Sequence, residues 1–158
     1  MLKIKPAPIC RSVTVTVPPQ QAFKVFTSDI GLWWPASHKI GKAPFKSAVI
    51  EPRTGGRWYE VGDDGSECSW GDVLAWEPPS RLVLAWRIGA DWQFDSSLLT
   101  EVEVKFVPTE SGGTRIELEH RLLENMGEGA EGVRDQFESE HGWAGVLNRY
   151  AAATKSDH

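Results

Sequence analysis

The sequence predicts an α+β fold: a curved seven-stranded antiparallel sheet wrapped around a long C-terminal helix, with two short helices after the first strand. Three observations lead there. Between Phe45 and Arg121, segments of strand length alternate apolar and polar residues and are separated by Gly, Pro and Asp-Gly turn signals. The chain then ends on one long stretch with apolar residues at helical spacing. No Pro/Ser linker and no internal repeat divides it, so residues 1–158 read as one domain.

Ile9 to Val17 alternates, with Ile9, Arg11, Val13, Val15 and Val17 on one face, and reads as the first strand. Arg11 is the exception on that face. Pro18-Pro19 ends the strand and opens a helix, since proline suits the first helical position. Ala22, Phe23 and Phe26 recur at helical spacing to Thr27, and Ile30 to Trp34 reads as a second short helix stopped by Pro35. After a loop over 36–44, strands follow at Phe45–Glu51, Arg57–Val61, Glu67–Glu77, Arg81–Ile88, Leu98–Val107 and Thr114–Arg121. Asp64-Gly65 is a tight hairpin signal because both residues tolerate positive φ. The alternation of Val102, Val104 and Phe106 with Glu101, Glu103 and Lys105 leaves one sheet face wet. Gly-rich 122–132 reads as a loop. Val133 to Ala153 reads as one continuous helix whose stripe is Val133, Phe137, Ala144, Leu147 and Ala151, joined by Trp143, Val146 and Tyr150. Laying that stripe on the apolar faces of Val102–Phe106 and Ile116–Leu118 is the parsimonious packing.

Composition narrows the function classes. A chain of 158 residues buries enough core to fold without a disulfide or metal. Its two cysteines, Cys10 and Cys68, match no metal or redox spacing and read as small buried hydrophobes. The N-terminus lacks the apolar run of a signal peptide and no stretch reaches membrane-span length, so a cytoplasmic protein with no membrane partner is expected. The net charge of −5 is interspersed and shows no basic stripe, which argues against nucleic acid. His38, His120 and His141 lack zinc-site spacing, so neither metal nor cofactor is expected. Eight tryptophans exceed what a core of this size uses, so some are expected to line a cavity.

Four motifs together are specific. They are Ile30-Gly31-Leu32-Trp33-Trp34-Pro35, Glu51-Pro52-Arg53-Thr54-Gly55-Gly56-Arg57-Trp58-Tyr59-Glu60, a block from Asp64-Gly65-Ser66-Glu67 through Trp70 to Pro79 and on to Arg81-Leu82, and Thr114 to Arg121. They resemble the Hsp90-ATPase-activator-homologue-1-like proteins of the START-like (SRPBCC, Bet v 1-like) superfamily, over Ile9 to Ala153. The resemblance implies a helix-grip fold with a cavity between sheet and C-terminal helix that takes small apolar molecules. The eukaryotic co-chaperones carry a further Hsp90-binding N-terminal domain, for which this chain has no room, so Hsp90 is not an expected partner. A homodimer stays open.

The expected function is therefore binding of a small apolar or amphipathic molecule by Trp34, Trp58, Trp70, Asp72, Trp76, Trp86, His120 and Trp143. A polyketide-cyclase-like enzyme using His120 and Asp72, or a co-chaperone-like interaction module, are the alternatives. Period two puts Trp70, Asp72, Leu74 and Trp76 on one face, but does not say whether that face points inward. Trp33 and Trp34 fit either a lid or a core plug. His120, in phase with Ile116 and Leu118, is either a cavity base or a bonded core histidine. Gly142 and Gly145 either clear room for a ligand or serve close packing or a kink.

Overall fold

The computed structural model describes residues 7–156. β1 (Ile9–Val15) leads into α1 (Pro19–Thr27) and α2 (Ile30–Trp33). Six strands follow: β2 (Phe45–Ile50), β3 (Arg57–Gly62), β4 (Glu67–Glu77), β5 (Arg81–Trp86), β6 (Thr100–Pro108) and β7 (Thr114–Arg121). A 3-10 segment at Leu123–Gly129 then precedes α3 (Ala130–Glu138) and α4 (Trp143–Ser156). The seven strands form one antiparallel sheet in the order β1-β7-β6-β5-β4-β3-β2. β2 to β7 are a meander, and β1 returns to pair with β7 from Ile9 opposite His120 to Val15 opposite Thr114. The expected α+β helix-grip architecture is what the chain adopts. No described helix is long and apolar enough to cross a membrane.

The sheet's apolar face and the helices share one core. Val102, Val104, Phe106, Ile116 and Leu118 are all buried in the cluster that holds Phe23, Phe26, Phe137, Leu147 and Tyr150. Tyr150 donates its hydroxyl to the Ala22 carbonyl at 2.8 Å, tying α4 to α1. Trp33 plugs this core: its indole N–H donates to the Val25 carbonyl at 2.7 Å and its ring meets Phe26 and Tyr150.

Two local departures from periodicity decide which side chains face the interior. The first is in β4, which carries two bulges. Trp58 pairs with Gly71 and Tyr59 with Ser69, leaving Trp70 unpaired, and Leu74 is skipped between the pairs Val73–Leu84 and Ala75–Val83. Each bulge shifts the alternation by one residue. Trp70 and Trp76 therefore still share the inner face, but Asp72 does not. Its cross-strand partners are Arg57 and Ala85, whereas Gly71 between the bulges lies opposite Trp58 and Trp86.

The second departure divides the C-terminal helix, which bends into α3 and α4 instead of running on as one rod. Ser139 is extended (φ −69°, ψ 169°), and the amide of Gly142 bonds back to the Ser139 carbonyl at 2.9 Å. A Cβ on Gly142 would lie 2.1 Å from the Phe137 carbonyl oxygen, and one on Gly145 would lie 2.4 Å from that of Glu140. A side chain at either position would collide with backbone of the preceding turn, so both glycines serve the bend, and Gly142 also lines the pocket described below. Arg11, the polar residue on the inner side of β1, donates to the carbonyl of Glu138 at 2.7 Å and so satisfies an end of α3. Because of the bend, the buried face of α4 is Trp143, Val146, Leu147 and Tyr150, and Ala144 is only half-buried. The cysteines also depart from expectation: Cys10 is exposed and Cys68 half-buried.

Candidate functional site

A pocket of about 470 Å³ opens where the end of the sheet meets the bend between α3 and α4. Its floor is aromatic. Trp34 enters from the end of α2, Trp70 from the β4 bulge, Trp86 from the end of β5 and Trp143 from the first turn of α4. Ile40, Ile88, Phe137 and Val146 complete the apolar wall, and Trp92 stands at the mouth, 41% exposed. The rim is polar: Ser37, His38 and Lys39 on the α2–β2 loop face Gln136, Ser139 and His141 beside the helix bend.

The tryptophans hold one another. Ring centroids are 5.0 Å apart for Trp34–Trp70, 5.5 Å for Trp58–Trp70, 5.4 Å for Trp58–Trp86 and 6.4 Å for Trp86–Trp143. Most of these pairs are edge-to-face, the geometry that the ring quadrupole favours. Trp34 donates its N–H to the His38 carbonyl at 2.9 Å. Trp70 donates to the buried carboxylate of Glu60 at 2.8 Å. The two Glu60 oxygens also accept the amides of Ile40 (2.6 Å) and Gly41 (3.1 Å), so one acid fixes both the Trp70 ring and the loop that forms the rim. The indole N–H groups of Trp58 and Trp86 are buried without a protein acceptor.

His120 lies behind this wall and is fully buried. Trp143 donates to its Nδ1 at 3.1 Å, so Nδ1 carries the lone pair and Nε2 carries the hydrogen. Nε2 lies 2.9 Å from the Thr100 hydroxyl, which passes its own proton to the Trp86 carbonyl at 2.8 Å. Burial pushes the imidazole down to about 3, so it stays neutral. With both nitrogens engaged and its side chain outside the pocket lining, His120 buttresses Trp143.

Of the residues expected in the site, the pocket brings together Trp34, Trp70, Trp86 and Trp143. Trp58 and His120 form the layer behind them. Trp76 packs elsewhere, its ring 5.0 Å from that of Phe23. Asp72 accepts a 2.6 Å bond from Arg87 and does not line the pocket, a consequence of the β4 bulges. The pocket lies between the sheet, through Trp70 and Trp86, and the C-terminal helices, through Phe137, Trp143 and Val146, at the end of the sheet near the bend. Sequence reasoning missed Glu60, His38, Trp92, Phe137 and His141 as site residues. Glu60 had a usable signal, an acid two residues after Trp58 and hence on the same inner face. No described group of His, Cys, Asp and Glu could hold a metal ion.

The family profile for Activator of Hsp90 ATPase homolog 1-like protein matches residues 16–155. The chain belongs to that family. With its helix-grip fold, this places it in the START-like superfamily. Among solved structures it is similar to an anthrahydroquino-gamma-pyrone synthase, Txn09: 40% identity, TM-score 0.66, covering 94% of this chain and 97% of that one. It is also similar to CalC, a self-sacrificing resistance protein from Micromonospora echinospora, at 29% identity and TM-score 0.71 over 95% of each chain. Protein NE0264 from Nitrosomonas europaea, at 16% identity and TM-score 0.69 over 96% of each, shares the fold. No curated protein matches significantly.

Proposed function

We propose that this protein holds a small, planar, amphipathic aromatic molecule in the pocket at the helix bend. The observation that carries this reading is the wall itself: a concavity of about 470 Å³ faced by four tryptophans and rimmed by polar groups. That volume lies in the range of small-molecule sites, and apolar walls with a few placed polar groups are their usual make-up. Trp70 and Trp143, held by Glu60 and His120, make this wall rigid, so little side-chain entropy is lost when a guest enters.

The test is titration with alizarin, a planar dihydroxyanthraquinone, read by quenching of tryptophan emission. Saturable, stoichiometric quenching is expected. Trp92→Ala removes one exposed face of the site and should weaken binding roughly 2–12-fold, the worth of one aromatic pair. Quenching that never saturates, or that ignores both Trp92→Ala and a pocket-filling Ile40→Trp, would rule the reading out.

A second reading has its own support. The 40% identity with a gamma-pyrone synthase over nearly the whole chain favours an enzyme that closes or rearranges a ring on an aromatic substrate. Neither His120 nor Asp72 lines the pocket. Any chemistry falls to the polar rim.

A further inference from the structure

We propose that Ser37 and His38 form a proton-transfer pair on the pocket rim that takes the proton of an acidic phenol or enol hydroxyl on the bound molecule. The proposal rests on the reading that the pocket holds a hydroxylated aromatic. The neighbours of His38 fix its tautomer. Nε2 lies 2.7 Å from the carbonyl oxygen of His141. A carbonyl only accepts, so Nε2 must carry the hydrogen. Nδ1 of the neutral ring is then a lone pair, and the Ser37 hydroxyl, 3.0 Å away, donates to it. The result is a hydroxyl bonded to a basic nitrogen whose ring is oriented by a third group, the arrangement that activates a hydroxyl for proton transfer. Both residues line the pocket.

The contrast with His120 shows why this histidine can act. The Nδ1 of His120 is blocked by the Trp143 N–H, and full burial forbids a charge there. His38 is half-buried, so water can solvate an imidazolium, and the His141 carbonyl strengthens its hold when Nε2–H becomes cationic. Three other titratable groups surround the pair. Lys39, adjacent in the chain, bonds the Gly41 carbonyl at 2.6 Å and lines the pocket, where its charge favours a ligand oxyanion. Glu60 lies under the loop with its oxygens engaged by Ile40, Gly41 and Trp70. His141 faces the pair across the rim from the helix bend. The Trp34 ring stands perpendicular to that of His38, with centroids 6.5 Å apart.

The step balances without any further reagent. The ligand O–H bond breaks and its proton passes to Ser37 Oγ as the Ser37 proton moves to His38 Nδ1. The ligand is left as an oxyanion, His38 as an imidazolium, and nothing is oxidised or reduced.

Alizarin tests this, because its visible band shifts when a phenol ionises while tryptophan quenching reports binding separately. Spectra are recorded across pH at dye saturation for each protein. In the wild type the phenol of the bound dye should ionise about one pH unit below that of the free dye, a tenfold change in its acidity. His38→Gln keeps an N–H for the His141 carbonyl but offers no base, and its bound dye should return to the free-dye midpoint. Ser37→Ala should lose at least half of the shift. Quenching with a midpoint that His38→Gln leaves unmoved overturns the pair alone. Absence of saturable quenching overturns the pocket reading and the pair with it.

Discussion

The buried network around His120 makes the stability of this protein depend on pH in a calculable way. In the unfolded chain His120 titrates near the ordinary 6.5, while in the folded protein burial holds it down to about 3. A group whose folded pKa is depressed contributes stability above its unfolded pKa. That contribution is lost as pH falls, because the unfolded chain takes up a proton that the folded one refuses. For this single group the loss between pH 7 and pH 5 is about 2 kcal/mol, and it stays near that figure for any folded-state pKa below about 4. Glu103, Asp64 and Asp95, held low by their partners, add losses of the same sign at lower pH, so the His120 share must be obtained by difference. His120→Gln supplies the reference, since an amide can accept from Trp143 and donate to Thr100 without titrating. Urea unfolding followed by tryptophan emission at pH 7, 6 and 5 gives both profiles. The wild type should lose about 2 kcal/mol more than the variant over that range. Parallel profiles would mean that His120 is not held neutral, and the buttress assignment would fall.

Two further substitutions probe the supports of the site. Glu60→Ala strips the acceptor from Trp70 Nε1 and from the amides of Ile40 and Gly41, and should cost roughly 2–4 kcal/mol in denaturant unfolding. Hydrogen exchange at Ile40 and Gly41 should accelerate with it, and a cost under about 0.5 kcal/mol would show that the loop is held otherwise. Gly145→Ala separates two opposite signs: helix propensity alone predicts a gain of about 1 kcal/mol, whereas a methyl 2.4 Å from the Glu140 carbonyl predicts a loss of about 1–3 kcal/mol. A melting temperature that rises would refute the tight bend as the reason for this glycine.

The strands were legible because alternation such as Val102–Val104–Phe106 against Glu101–Glu103–Lys105 is enforced by a sheet with one wet face. Trp34, Trp70, Trp86 and Trp143, expected from the excess of tryptophan to line a concavity, line the pocket while also packing in the core. Asp72 was misplaced because a bulge has no periodic signature: the extra residues at Trp70 and Leu74 cancel over six positions and so hide the inversion between them. The bend at 139–142 was hidden by apolar spacing that continues on either side of it, although Ser139 and Gly142 are poor helix residues. His38 sits in a loop, where side-chain direction follows from tertiary bonds such as Nε2 to His141 and from no local rule.

Strand order also constrains how the chain can assemble. β2 to β7 pair with their sequence neighbours, through short turns except for the longer loop over 87–99 between β5 and β6, so they can pair as they are synthesised. β1 must wait, because its partner β7 is the last strand made. The two termini then close together: α4 packs against β1 and α1, and Arg11 reaches the end of α3. Trp143, which supplies one wall of the pocket and locks His120, arrives with that final helix. A nascent or C-terminally clipped chain would therefore present Trp86 and Trp70 without their cover, an adhesive surface rather than a binding site.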